Sequence, residues 1–366
     1  MNKIAKKYRL GLSLIKGIGS ATFQQLLKIS TAEELWKLSE GELRDKVGQN
    51  LATKIIAGRY EIDIKKVVSD IERARIEYLV LGEKNYPKLL SQIYDPPTVL
   101  YFKGEIDSSL LNNSISIVGT RSYSKFGLEI TRKLTKKLVQ QGFSIISGLA
   151  FGIDKAAHQA ALEAGGYTVA VLGGPANIPS PQSNFRTYEK IIKSGAVVSE
   201  FPLGTEIEAW NFPKRNRIIS GLSLGTLVIE AGEKSGALIT ARSAVEQNRE
   251  VFAVPWSLDA KGGKGVNRLI KEGKAKLIES IEDILVEFGY FIDTSENRSQ
   301  ELTLESLQIN KLEKSAITVL RSSAIDAEEL AIKLGRNISV IGSVLVELEI
   351  KGAVMKDEGG KWRVVL

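Results

Sequence analysis

Short, almost wholly apolar runs recur through the middle of the chain. Each is separated from the next by a longer segment whose apolar positions follow a helical period. Ser116-Ile117-Val118-Gly119, Phe143 to Gly148, Tyr167 to Leu172, Ala196 to Glu200, Leu227 to Glu230 and Glu250 to Val254 read as strands. Leu128 to Gln141, Asp154 to Ala164, Thr187 to Ser194 and Ala237 to Gln247 read as helices, the first with Ile130, Leu134 and Leu138 on one face. A strand that is apolar on both sides must be covered on both faces, and helical crossovers return the chain to start each strand in parallel. From Ser114 onward the pattern therefore predicts an α/β fold built on a parallel sheet.

The flanks follow other patterns. Residues 1–66 read as helical, with Gly17-Ile18-Gly19 between two apolar-periodic stretches and a looser turn near Gly48-Gln49-Asn50. A glycine hairpin between helices can offer backbone N–H groups to a phosphate, as helix-hairpin-helix and SAM-like modules do, or it can simply make the turn. Asp70 to Ala74 continues a helix, and Ile76 to Leu81 and Val99 to Gly104 resemble strands, with Tyr86-Pro87 and Asp95-Pro96-Pro97 between them. Residues 67–290 are assigned to the α/β domain and the polar stretch 291–306 to a linker. Residues 307–366 show three helical patterns, Ser315 to Leu320, Asp326 to Leu334 and Ser339 to Ile350. A hairpin follows, Ala353 to Met355 and Lys361 to Val365 around Gly359-Gly360, which together predicts a winged helix. Its last helix carries Ser339, Ser343, Glu347 and Glu349 rather than base-reading cations, so a protein contact or a packing role is expected of it.

Charge sharpens this picture. Fifty Lys and Arg stand against 43 Asp and Glu, a net charge of +7 that favours anionic partners. The absence of cysteine excludes disulfides, thiolate metal sites and cysteine nucleophiles, and a single histidine, His158, excludes histidine-rich zinc sites. No run of apolar residues is long enough for a membrane span, so a cytoplasmic protein with no membrane partner is expected.

The candidate chemistry lies where the strands end, because in a parallel sheet those loops converge on one crevice. Gly119-Thr120-Arg121 follows the first strand; Gly119 admits a ligand to the backbone and Arg121 offers a bidentate contact to an anion. Gly148 to Asp154 follows the second, with Gly148, Phe151 and Gly152 as ligand contacts, Phe151 either a core residue or a stacking platform for a base, and Asp154 as the cap of a helix whose His158 packs among alanines. Arg186 follows the third loop, and Lys214-Arg215-Asn216-Arg217 masses three cations and an amide. Ser235, Gly236 and Thr240 open a further helix, and Lys264, Asn267 and Arg268 belong to a glycine-rich positive loop. Several phosphate-grade sites along one rim suit a single strand of nucleic acid better than a small ligand. The glycine spacing is not that of a dinucleotide site and no acidic residue follows the second strand, so no cofactor is expected. Asp154, Glu200 and Glu230 form no nucleophile–base pair, which makes an enzyme the lesser reading; its form would be a nucleoside-monophosphate phosphoribohydrolase, of whose motif only Gly225-Thr226 and Glu230 remain.

Taken in order, these segments closely resemble the bacterial DNA-processing protein A family. The resemblance rests on Ile117 to Arg121, Ser147 to Asp154 with Ala157-His158, Ser199 to Pro202, Phe212 to Ile219, Glu230-Ala231, Ser235 to Ala241 and Gly265 to Ile270, and spans residues 70–285. It implies a Rossmann-like, non-enzymatic homodimer that binds single-stranded DNA during natural transformation. It further implies loading of a RecA-type recombinase onto DNA coated by single-strand-binding protein. By that likeness Gly119, Arg121, Lys214, Arg215, Asn216, Arg217 and Asn267 line the DNA pocket, and dimerisation runs through the Rossmann-like domain. Three departures stand out: Phe151 where the family usually has arginine, an altered third loop at Gly173-Gly174-Pro175, Asn177 and Ser180-Pro181, and Trp256 in place of a glycine.

Overall fold

The helices of the first 73 residues are α1 (Lys3–Ser13), α2 (Ser20–Ile29), α3 (Ala32–Lys37), α4 (Glu40–Val47), α5 (Gln49–Glu61) and α6 (Ile64–Arg73) in the computed structural model, which describes residues 3–290, 310–322, 325–350, 353–356 and 360–364. The expected boundary at residue 66 falls inside α6. Asp63 caps that helix by accepting from the N–H groups of Lys65 and Lys66, and Ile64, Val67, Val68 and Ile71 form its apolar stripe. These helices close a core of Leu10, Phe23, Leu26, Leu35, Leu43 and Ile55 that also takes in Val80, Val99 and Tyr101 from the edge of the sheet. At the Gly17–Gly19 turn, the Ser20 hydroxyl on the first residue of α2 donates to Asp95 at 2.8 Å. A carboxylate of the chain itself thus stands at this helix N-terminus, which favours the plain turn role over phosphate binding.

The sheet follows in the order β1 (Glu77–Val80), α7 (Lys88–Ser91), β2 (Val99–Gly104), α8 (Ser108–Leu111), β3 (Ser114–Val118), α9 (Lys125–Gln140), β4 (Ser144–Ser147), α10 (Ile153–Glu163), β5 (Thr168–Val171), α11 (Phe185–Ser194), β6 (Gly195–Ser199), α12 (Asn211–Gly221), β7 (Gly225–Val228), α13 (Ala237–Glu246), β8 (Glu250–Ala253), α14 (Lys264–Lys271), β9 (Lys276–Leu277) and α15 (Glu282–Glu287). Spatially the strands run β1-β2-β6-β5-β4-β3-β7-β8-β9. The strands from β6 to β9 are parallel, as their apolar runs predict, whereas β1 and β2 add an antiparallel edge. Alternate residues serve opposite faces: Val169 and Val171 pack with Ile218 and Ile219 of α12 and with Leu222 just after it, while Ala170 and Leu172 pack with Tyr188 and Ile191 of α11. The chain builds outward from β3 in one direction through β6 and then crosses to β7 on the other side. The loops after β3 and β7 consequently part and leave a crevice at their carboxyl ends.

The chain divides at Phe288 and Gly289 into two units. The second contains α16 (Lys311–Ser322), α17 (Ala327–Leu334) and α18 (Ile338–Ile350), then the antiparallel hairpin of β10 (Val354–Lys356) and β11 (Trp362–Val364). Ala316, Leu320, Leu330, Ile341, Leu345, Leu348 and Trp362 form its core, and Ile325 bridges to Trp362. This is the three-helix-and-wing arrangement its sequence predicts. The expected linker 291–306, Gly359 and Val365 lie outside the described residues. On α18 the exposed positions are Ser339, Ser343, Glu347 and Glu349 with Ile338, Val340 and Val346. Among the described residues no helix is long and apolar enough to cross a membrane.

Candidate nucleic-acid interface

At the crevice between the β3 and β7 ends lies a cleft of about 640 Å³. Its walls are the Gly119–Arg121 loop, one face of α12, and the segment Lys234 to Thr240 that begins α13. Three cations, Arg121, Arg215 and Lys234, line it against one carboxylate, Asp154, so the cleft is electropositive.

Arg121 is exposed, its guanidinium 5.7 Å from the Phe212 ring, and among the described residues no carboxylate pairs with it. The loop carrying it is rigid. Thr120 donates its N–H to the Glu230 carbonyl at 2.7 Å and accepts from Ile153 N–H at 3.2 Å. Gly152 makes that second contact possible: its φ is +84°, and a Cβ there would lie 2.2 Å from the Thr120 carbonyl oxygen.

Arg215 forms the floor. It is 4% exposed, and its guanidinium donates to the Gly148 carbonyl at 2.8 Å, to the Val171 carbonyl, and to Asn216 Oδ1 at 3.2 Å. Burial pushes its pKa down to about 10, against the pull of Asp154, so it remains a cation at neutral pH. Gly148 is glycine for its sake, since a Cβ would sit 2.7 Å from the guanidinium. Asp154 accepts from the Gly148 N–H at 3.2 Å, and burial raises its pKa while Arg215 and neighbouring N–H groups oppose that shift. The expected cap role passes to Gly152; Asp154 lies in the first turn of α10.

The cationic run 214–217 is not a loop but the heart of α12, and the helix divides it. Arg215 and Asn216 face the cleft, and Asn216 Nδ2 donates to the Gly236 carbonyl at 3.3 Å. Lys214 and Arg217, three residues apart, share the other face. There Arg217 contacts Glu200 at 2.5 Å and Asp95 at 3.4 Å, and Lys214 lies 3.5 Å from Glu200. The expectation that Lys214 and Arg217 line the same notch as Arg121 is corrected by this phase.

The other expected contacts divide similarly. Ser235, Gly236 and Thr240 line the cleft, as do Gly119 and Thr120. Asn267 does not: its side chain accepts from Trp256 N–H at 3.0 Å and donates to the Trp256 carbonyl at 2.8 Å. Both its side-chain amide atoms are committed to the Trp256 backbone. Lys264 and Arg268 are exposed on α14, Arg268 pairing with Glu272 at 2.6 Å, and Arg186 is exposed on α11; none of the three lines the cleft. Phe151 opens onto a neighbouring groove. Sequence reading missed Lys234, whose signal was its place beside Ser235-Gly236 at a helix start, and the ring of Phe212 under Arg121.

Glu230 is sealed away from the cleft. It accepts from the Ser124 N–H at 3.0 Å and hydroxyl at 3.1 Å, and Gly262 packs so closely that a Cβ would be 2.4 Å from its other oxygen. His158 is fully buried, 2.8 Å from the Thr168 hydroxyl, with its pKa pushed down to about 3 by desolvation.

The sequence matches the family model for DNA recombination-mediator protein A over residues 77–289. It is 36% identical to Protein Smf of Synechocystis sp. over 324 residues, covering 87% of this chain and 81% of that protein. With DNA processing protein DprA of Bacillus subtilis it shares 42% over 224 residues, 61% of this chain and 75% of the relative. Among solved structures, DNA processing protein A of Streptococcus pneumoniae aligns with a TM-score of 0.65 at 34% identity, covering 78% of this chain and 98% of that one. The Helicobacter pylori protein of the same name, solved for its single-stranded DNA binding mode, aligns with a TM-score of 0.52 at 28% identity, covering 59% and 97%.

Proposed function

The chain belongs to the DNA recombination-mediator protein A family, and we propose that it binds single-stranded DNA in the cleft between the ends of β3 and β7. One observation carries this reading: Arg121 stands exposed and without a carboxylate partner among the described residues, over an aromatic ring, at the mouth of a cleft floored by a second, buried arginine. A phosphate there meets Arg121 and Lys234, with the half-buried Phe212 ring under Arg121 in the cleft wall. The α/β unit is the DNA-binding domain in this reading, and Lys214, Arg217 and Asn267 support it from behind.

The cellular role we propose is that of a cytoplasmic mediator of DNA processing in natural transformation. It protects an incoming strand and passes it to a RecA-type recombinase, with single-strand-binding protein as a further partner. A homodimer through the α/β domain would let one strand bridge two clefts. We read the cleft as one that binds rather than cleaves: Glu230 is enclosed by Ser124 and Gly262, Glu200 is held by Arg217, and Asp154, the one carboxylate in the lining, is buried, accepting from the Gly148 N–H.

The test is a titration of single-stranded and duplex DNA of one sequence at two salt concentrations, with wild type and Arg121→Ala. We expect preference for the single strand, loss of affinity with salt, and a loss of roughly 10-fold or more in the variant. Equal, weak binding of both forms by both proteins would leave only generic electrostatics.

A further inference from the structure

Arg121 has a second neighbour. Beside the cleft, the start of α9 and the first turns of α10 enclose a groove of about 470 Å³ that Arg121 also lines. Its other chemistry-bearing residues are Tyr123, Arg132, Phe151, Lys155 and Gln159. Tyr123 is 48% exposed and Phe151 46% exposed, two large rings left open to water side by side with cations. Among the described residues neither Arg132 nor Lys155 has an ion-pair partner. The two loops that present the rings are joined by the Ile153 N–H to Thr120 carbonyl hydrogen bond and by the fit of Gly152 against that carbonyl, which fixes their backbones relative to one another.

Flat, half-exposed rings beside unpaired cations match one chemistry well: a base whose face is free, joined to a phosphate. A duplex keeps its base faces stacked and cannot use the rings, and a free anion has no need of them. We propose that this groove is a second nucleotide subsite, stacking one unpaired base on Tyr123 and Phe151 and holding the adjacent phosphate with Arg132 and Lys155. The strand reaches it from the first cleft past Arg121, which serves both. This rests on the single-strand reading of the cleft.

The experiment compares wild type with Tyr123→Leu/Phe151→Leu and with Arg132→Gln/Lys155→Gln, using a trinucleotide of thymidine and a longer oligothymidylate. Tyr123, Phe151 and Arg132 are exposed and Lys155 is half-buried, and thermal melting checks that the variants fold. Tyr123→Trp/Phe151→Trp, which keeps the rings, serves as the rescue. We expect both double variants to bind the longer strand roughly 10- to 100-fold more weakly, to bind the trinucleotide as wild type does, and the tryptophan variant to retain affinity. Unchanged affinity for the longer strand, or equal weakening of both ligands, overturns the subsite. A change in oligomeric mass in the double variants also overturns it, since the groove would then be a contact between copies. Failure of wild type to bind either oligonucleotide would instead refute the reading of the first cleft.

Discussion

Replacing Arg217 should weaken the fold and spare DNA binding, although its sequence neighbourhood marks it as a DNA contact. Its side chain is 16% exposed and lies 2.5 Å from Glu200, which is 9% exposed. Removing one partner of a buried pair leaves the other charge uncompensated, at a cost of about 3–5 kcal/mol. Two features reduce that figure. Lys214, 3.5 Å from Glu200, can take over part of the neutralisation, and Asp95, at 52% exposure, loses little. For Arg217→Met we therefore expect a loss of about 2–4 kcal/mol in urea unfolding, with single-strand affinity changed by less than about 3-fold. Arg217→Met/Glu200→Gln should recover part of the stability, since the stranded charge goes with its partner. An Arg217→Met protein as stable as wild type but unable to bind DNA would refute the division of labour along α12.

Three further outcomes follow from the same geometry. Gly148→Ala should cost about 3–5 kcal/mol in urea unfolding, because the new Cβ, 2.7 Å from the Arg215 guanidinium, forces a buried cation off its carbonyl partners. Asn267→Ala should lose about 1–3 kcal/mol by freeing the Trp256 backbone, while single-strand affinity stays within about 3-fold of wild type. His158 binds its proton at pH 6.5 when unfolded but only near 3 when folded, so the unfolded state takes up more protons between those values and stability falls as pH drops through that window. The slope from this one residue is on the order of 1 kcal/mol per pH unit, and stability measured against pH should flatten there in His158→Asn.

The sheet was legible because its strands are apolar on both sides, a property local sequence carries directly. The direction of β1 and β2 was not, since antiparallel and parallel edges use the same residues. The candidate site was half legible. Gly119, Thr120, Arg121, Ser235, Gly236 and Thr240 follow strand ends or open a helix, and the crossover at β3 and β7 brings them together. The error over Lys214 and Arg217 came from reading a basic run without a phase. Pro213, in the first turn of α12 where proline is tolerated, was the signal that a helix begins there. Once helical, the run must split between two faces, but which face meets the cleft depends on tertiary packing. Asn267 was beyond local reading because its partner Trp256 is a feature of this chain's own loop. Gly148 and Gly152 were placed correctly at strand ends for a different reason than expected: they make room for Arg215 and for the Thr120 carbonyl rather than for a ligand.

The most direct test of where the strand lies is photo-crosslinking of an iododeoxyuridine-substituted single strand to the full chain, followed by mass spectrometry of the peptides. Adducts concentrated on the peptide containing Phe212, and lost in Arg121→Ala, are what the cleft predicts. Adducts confined to the C-terminal unit, or the same pattern with and without Arg121, would contradict it.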